Sequence, residues 1–370
     1  MSVELGIVPF NDLGRIHRPL LPDFLESLTW HVNESSFVLG AEVHDFEVSL
    51  AKLEGSRFAI GVNNGTNAIE LALRALNIKP DDEVLIPAFT FVATAFAVSS
   101  LGATPVLVDV DSKTGLVDLS SAEKSISDKT RALLLVTIHG RVDNLDLYRD
   151  FCTTYGLKFI IDGAQSHLGT FDGTGQVNYC DVSTLSFYPG KNLGALGEGG
   201  AVLTNNEEID HKVRLMRDWG AEIKYDHTSW GGNFRLESLQ ASFLLTKLSQ
   251  LESWTKERQK IAKLFDASIN KDYLMGSVSS SGSHVFHIYS LAVSNRESAI
   301  KTLSEKKISF GFHYPKAIHQ NLAFKEQVLS RCNLSNAEVL ARQTLSIPIF
   351  PKMTEAEMQR VIEAVAAIRV

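Results

Sequence analysis

The chain has 370 residues, 44% hydrophobic and 21% charged, with 25 Gly and 10 Pro, a balance that excludes disordered, collagenous and repeat-built architectures. Its 36 basic and 43 acidic residues leave a formal charge of -7 without a basic cluster, so nucleic acid is not an expected partner. No apolar run approaches the roughly 18 residues of a membrane-crossing helix, and MSVELGIVPFNDLGR lacks the basic start and apolar stretch of a secretory signal, so no membrane association is expected and the cytoplasm is the expected location.

In chain order, a helix is predicted near residues 20 to 33, packing with a small C-terminal domain. From 57 to 205, short apolar runs alternate with helix-length amphipathic stretches: RFAIGV, EVLIPA, PVLVDV, RALLLVTI, LKFIID, VSTLSF and GAVLTN. That rhythm predicts an α/β fold with a mostly parallel sheet covered on both faces. ALLLVTI and KFII show no polar alternation, as buried strands require, while NAIELALRAL places Ile69, Leu71, Ala72, Leu73 and Leu76 largely on one helical face. EEIDHKVRLMRDWG and ESLQASFLLTKLSQLESWTKERQKIAKLF then predict long helices, the second placed to hinge two domains. Beyond Ser277, strands HVFHIYSLAV and ISFGFHY and helices at 296 to 306 and 353 to 368 predict a small α+β domain. The expected division is 1–250, a large cofactor-binding domain, and 251–370, the small one.

Four places in the large domain carry chemistry. Asp162 closes the apolar run Phe159-Ile160-Ile161 and should stand at the carboxyl end of a buried parallel strand, where open α/β sheets bind ligands; alone, it could equally cap a turn. Lys191 follows strand VSTLSF in the tight loop Tyr188-Pro189-Gly190-Lys191. Most lysines are solvated charges, but one held among Pro, Gly and aromatic neighbours is a candidate for a lowered pKa and Schiff-base chemistry. Asn63-Asn64-Gly65-Thr66-Asn67, between a strand and a helix, is either a phosphate cradle or an ordinary capped helix start. Pro87-Ala88-Phe89-Thr90-Phe91-Val92-Ala93-Thr94, at another strand-to-helix switch, offers an aromatic platform or plain core. A phosphate cradle, a ring platform, a carboxylate for a ring nitrogen and a Schiff-base lysine together match pyridoxal 5′-phosphate. No His/Cys/Glu spacing suggests a metal, and Cys152, Cys180 and Cys332 are too scattered for a disulfide framework.

The stretches NNGTNAIELALRAL, DEVLIPAFTFVATAFAV, LGATPVLVDVD, DGAQSHLGT, SFYPGKNLGALGEGGAVLTN, GGNFRLESLQAS and HYPKAIH resemble the DegT/StrS-type sugar aminotransferases, pyridoxal-phosphate enzymes of fold type I, over nearly the whole chain. The resemblance implies that Lys191 forms the Schiff base, Asp162 pairs with the pyridine nitrogen and Gln165 contacts the ring hydroxyl. It assigns Gly65, Thr66 and Ser186 to the phosphate, Phe91 to ring stacking, and Asn233 to the phosphate of the neighbouring subunit, hence a homodimer with shared sites. Tyr188, His313 and Tyr314 match positions facing the sugar. The implied reaction moves an amino group from L-glutamate to a nucleotide-linked ketosugar.

The lysine loop is most like those of enzymes aminating C3 of a dTDP-linked keto-deoxysugar, with the C4-aminating branch as the alternative. Thr137-Ile138-His139-Gly140 stands where many relatives read His-Leu-Tyr-Gly, and Ile161 replaces a usual Glu, departures that bear on substrate specificity. Arg141, Arg217, Lys224, Arg235 and Lys316 are candidates for the nucleotide diphosphate. Rival readings are a sugar dehydratase, whose relatives carry histidine in place of Lys191, and a non-catalytic cofactor-binding regulator, for which no DNA-binding module is visible. A nicotinamide dehydrogenase lacks its glycine fingerprint here.

Overall fold

The computed structural model describes residues 6–368. Twelve α-helices are described: α1 (Leu13–His17), α2 (Leu21–Glu34), α3 (Ala41–Glu54), α4 (Gly65–Ala75), α5 (Val92–Ser99), α6 (Leu119–Lys124), α7 (Leu145–Tyr155), α8 (Glu207–Arg217), α9 (Ser238–Ser268), α10 (Arg296–Glu305), α11 (Ser335–Gln343) and α12 (Glu355–Ala366). The predicted apolar runs form strands β1 (Phe58–Val62), β2 (Glu83–Pro87), β3 (Thr104–Val108), β4 (Thr130–Val136), β5 (Lys158–Asp162), β6 (Val182–Ser186) and β7 (Gly200–Thr204). Tyr289–Ala292 (β8), Leu329–Ser330 (β9) and Thr344–Ile347 (β10) follow.

Eight strands make one sheet in the order β1-β7-β6-β5-β4-β2-β3-β9. Only β7 runs against its neighbours β1 and β6; the other pairings are parallel. The expected mostly parallel mixed sheet is therefore present. Its central strands carry apolar runs because helices cover both faces: Ile160 and Ile161 of β5 and Leu133, Leu134 and Leu135 of β4 have no exposed surface. Each such side chain contributes about 1.5–3 kcal/mol of burial. A second apolar group, around Phe46, Leu50, Phe187, Leu193 and Leu244, joins α3 and the first half of α9 to the opposite side of β1, β6 and β7.

A separate C-terminal core gathers Ile261, Phe265, Tyr289, Leu291, Leu345, Ile347 and Val361, and Val8 joins it from the N-terminal segment. The boundary at 250/251 falls inside α9, and we propose that the large and small units divide within this helix. The N-terminal segment touches both: Arg15 pairs with Glu357 of α12, while Phe24 packs edge-on against Phe243 of α9.

Two predicted strands differ. HVFHIYSLAV is broken: Ser283–His284 pairs with Arg141–Val142, and only Tyr289–Ala292 continues, against β10. ISFGFHY forms no continuous strand; Ile308 and Gly311 make single bridges to Val8 and Ser346. The aromatic residues that suggested strand there, Phe310 and Phe312, pack on the small core from an irregular segment. Among the described residues no helix is long and apolar enough to cross a membrane, and the three cysteines are free thiols.

Candidate active site

Parallel strands end their carboxyl termini on one edge, and there the site residues converge. One cavity of about 1020 Å³ is lined by Gly65, Thr66, Phe91, Asp162, Gln165, Ser186, Tyr188, Lys191, His313 and Tyr314. All of the sequence-predicted site residues except Asn233 thus line one space. Asn233 lies outside that lining and is exposed, its carbonyl accepting from the Asn63 side chain at 3.5 Å.

Asn64 caps α4, its side chain accepting from the Asn67 N–H at 2.8 Å, while the Asn67 amide donates to Asn63 at 2.9 Å. The N–H groups of Gly65 and Thr66, first residues of the helix, have no carbonyl one turn earlier to bond. They are left for an anion at the positive end of the helix dipole. Position 65 must be glycine by packing, since a Cβ there would lie 2.6 Å from the Ser186 Cβ.

Asp162 is 6% exposed. Its Oδ2 accepts from Thr94 at 3.0 Å and its Oδ1 from the Ala164 N–H at 3.1 Å, so the carboxyl has one fixed orientation. Burial raises its pKa, opposed by those two donors and by the Lys191 charge. Burial also lowers Lys191 to about 8, against the pull of Asp162. An amine with that pKa is partly unprotonated near neutrality and nucleophilic, unlike an ordinary surface lysine.

Gln165 links both ends of the site. Its Oε1 accepts from the His139 N–H at 2.5 Å and its Nε2 donates to the Tyr314 hydroxyl at 3.0 Å. The His139 ring in turn bonds the His313 carbonyl at 2.8 Å. The departure Thr137–Gly140 therefore stands behind the cavity, positioning Gln165 and His313, rather than in its lining. Phe91, 51% exposed, tilts against Tyr314 with ring centroids 5.3 Å apart.

Several lining residues were not singled out by sequence: Phe10, Asn11, Glu198, His287 and Ile349. Phe10 stacks on His313 at 5.6 Å, so the N-terminal segment walls the site, a contact without local signature. Thr94 was within the quoted aromatic stretch, but only the fold aims its hydroxyl at Asp162. Of the proposed diphosphate cations, none lines the cavity. Arg217 is bound to Glu47 at 2.5 Å, Arg235 to Asp218 at 2.5 Å and Arg141 to the Gly276 carbonyl, leaving exposed Lys224 and Lys316.

The histidines around the site are buried or half-buried and held neutral. Burial lowers His17, His139 and His313 to about 4 and His167 to about 3, and puts His284 and His287 well below the usual range. A group protonated near pH 6.5 when unfolded but not when folded favours the unfolded chain as pH falls. Glu54, raised by burial to about 7, acts oppositely, as do Asp162 and Asp210, whose pKa values burial also raises, but these three stand against six histidines. Stability of the cofactor-loaded protein should accordingly decline from pH 6.5 to pH 4, by about 3 kcal/mol for His139 alone. Urea midpoints that stay constant over this range would contradict neutral burial of these rings.

The DegT/DnrJ/EryC1/StrS aminotransferase family model matches residues 21–366. The dTDP-3-amino-3,4,6-trideoxy-alpha-D-glucose transaminase of Streptomyces venezuelae is 34% identical, over 98% of this chain and 96% of its own. The dTDP-3-amino-3,6-dideoxy-alpha-D-galactopyranose transaminase of Aneurinibacillus thermoaerophilus is 35% identical, over 97% and 99%. The crystal structure of S. venezuelae DesV superposes with a TM-score of 0.95 at 34% identity, covering 99% of this chain and 100% of the other.

Proposed function

We propose, because the chain belongs to the DegT/DnrJ/EryC1/StrS aminotransferase family, that it moves an amino group from L-glutamate to a dTDP-linked 3-keto-6-deoxyhexose. Family membership makes it a pyridoxal-phosphate-dependent sugar aminotransferase. One observation carries the site assignment: a single cavity holds Lys191 with a lowered pKa, a fixed buried Asp162, the unbonded N–H groups of α4 and the half-exposed Phe91.

These residues fit pyridoxal phosphate. When bound, it supplies a carbonyl carbon that amines attack and a ring that withdraws electrons. Gly65, Thr66 and Ser186 would hold its phosphate, Phe91 would cover its ring and Gln165 would meet its hydroxyl. Lys191 would hold the group through its amine and, when that amine is free, would be the base for the proton on the α-carbon of the amino donor. Asp162, acceptor-only when ionised, keeps a proton on the ring nitrogen and so maintains the electron sink. Tyr188, His313 and Tyr314 face the sugar.

The enzyme works as a cytoplasmic homodimer in this reading. Trp219, Ile223, Tyr225 and Trp230 expose 49–82% of their surface near Asn233, an apolar patch suited to a second copy. Asn233, outside its own cavity, then serves the partner's phosphate, and Lys224 and Lys316 remain for the nucleotide diphosphate.

The test is spectroscopic. Adding L-glutamate to cofactor-loaded enzyme should shift its visible absorbance, and a dTDP-3-keto-6-deoxyhexose should restore it with an amino sugar bearing nitrogen at C3 by NMR. No response to glutamate would reject the reaction, and restoration by the 4-keto sugar instead would assign the C4-aminating branch.

A further inference from the structure

The loop carrying Lys191 closes on itself in front. The Lys191 N–H donates to the Tyr188 carbonyl at 2.8 Å, and the Ala195 N–H to the Phe187 carbonyl at 2.7 Å. At Gly194 the chain doubles back so tightly that a Cβ would fall 2.3 Å from the Pro189 oxygen. These turns set Gly194 beside Leu193 of the apolar core that also holds Phe187, Leu244, Leu248 and Leu251. A carbonyl abandoned there costs free energy and loosens whatever it belongs to.

Lys247 of α9 reaches it. This lysine is 1% exposed, donates through Nζ to the Gly194 carbonyl and bonds the His17 Nε2 at 3.0 Å. No carboxylate pairs with it among the described residues. Burying an ammonium group without a counter-ion is unfavourable for stability, so packing alone does not explain a lysine at this position. His17 is the complementary partner: burial and the Lys247 charge keep its ring unprotonated, able to accept. Two turns earlier on α9, Gln240 accepts the Leu196 N–H at 2.9 Å, so the same helix face fixes the loop twice.

We propose that Lys247 is a positioning residue for the aminotransferase reaction, holding the Lys191 loop to α9 and to the N-terminal segment through Gly194 and His17. The inference rests on Lys191 being the Schiff-base lysine. Through the short stretch from Gly194 to Lys191 the hydrogen bond limits where the reacting amine sits, and a displacement on the order of 1 Å can cost about a hundredfold in rate. The N-terminal segment that supplies His17 also supplies Phe10 and Asn11 to the cavity, so Lys247 ties two walls of the site to one another.

Lys247→Met keeps the length of the side chain and removes the donor, and Lys247→Gln restores a donor without charge. In cofactor-loaded enzyme, Lys247→Met should lower the single-turnover rate with L-glutamate by about 10- to 100-fold, with little change in KM. It should also shift the pH midpoint of the bound cofactor's visible absorbance, while the melting temperature changes little, because removal of a buried charge offsets the cost of the unbonded Gly194 carbonyl. Lys247→Gln should recover most of the rate and the midpoint. A Met variant with wild-type rate and spectrum overturns the proposal, as does a rate loss that tracks a fall in melting temperature and is not recovered by Gln. Wild-type enzyme unresponsive to glutamate would instead reject the functional reading, and this inference with it, before any variant is compared.

Discussion

Lys191→Ala should lower turnover by at least about 10⁴-fold, the combined loss of a nucleophile and of a positioned base. The fold should survive, because among the described residues the Lys191 side chain makes no hydrogen bond and its loop is held by backbone bonds and by Gln240. Purified variant should lack the visible absorbance of the Schiff base, and borohydride reduction should attach no cofactor to the chain. Histidine neighbours do not offer a replacement base of suitable strength: His167, His287 and His313 are all held neutral with strongly depressed pKa values. Normal transamination by Lys191→Ala, or borohydride tagging of another side chain, would remove the central assignment.

Asp162→Asn should leave the protein folded and cofactor-loaded yet slow turnover by about 10²–10³-fold, the usual cost of deleting one preorganised electrostatic contact. The amide oxygen can still accept from Thr94 or from the Ala164 N–H, so the local geometry is largely kept. Stability should not fall much, since burial already disfavours the charged carboxylate when the site holds only protein atoms. What would disappear is the anion proposed to keep the ring nitrogen protonated. Single-turnover kinetics would show this as a slow proton-transfer step with glutamate binding little changed; a variant equal to wild type in rate would show that the carboxylate has no such part.

Local pattern made much of this legible. The runs Phe159-Ile160-Ile161 and Leu133-Leu134-Leu135 have no polar alternation because both faces of their strands are covered, and they became β5 and β4. Asn64 and Gly65 announced a helix start with free N–H groups because capping chemistry is local. The predicted strand over ISFGFHY did not form because its aromatic residues are spent on packing, and its pairing partners lie far along the chain at Val8 and Ser346. Nor did any pattern mark Phe10, Asn11 or His287 as part of the site, or explain His139, whose backbone fixes Gln165 from behind.

The sequence by itself determined the α/β rhythm, the placement of Lys191 and Asp162 at strand ends and the cofactor class, because burial periodicity and turn chemistry act between residues close along the chain. Tertiary structure alone decided that the two groups face one cavity, that Thr94 orients Asp162, and that the N-terminal segment and Lys247 brace the lysine loop. Those contacts join residues as much as 230 positions apart, and they exist only once the parallel register has brought the strand ends together.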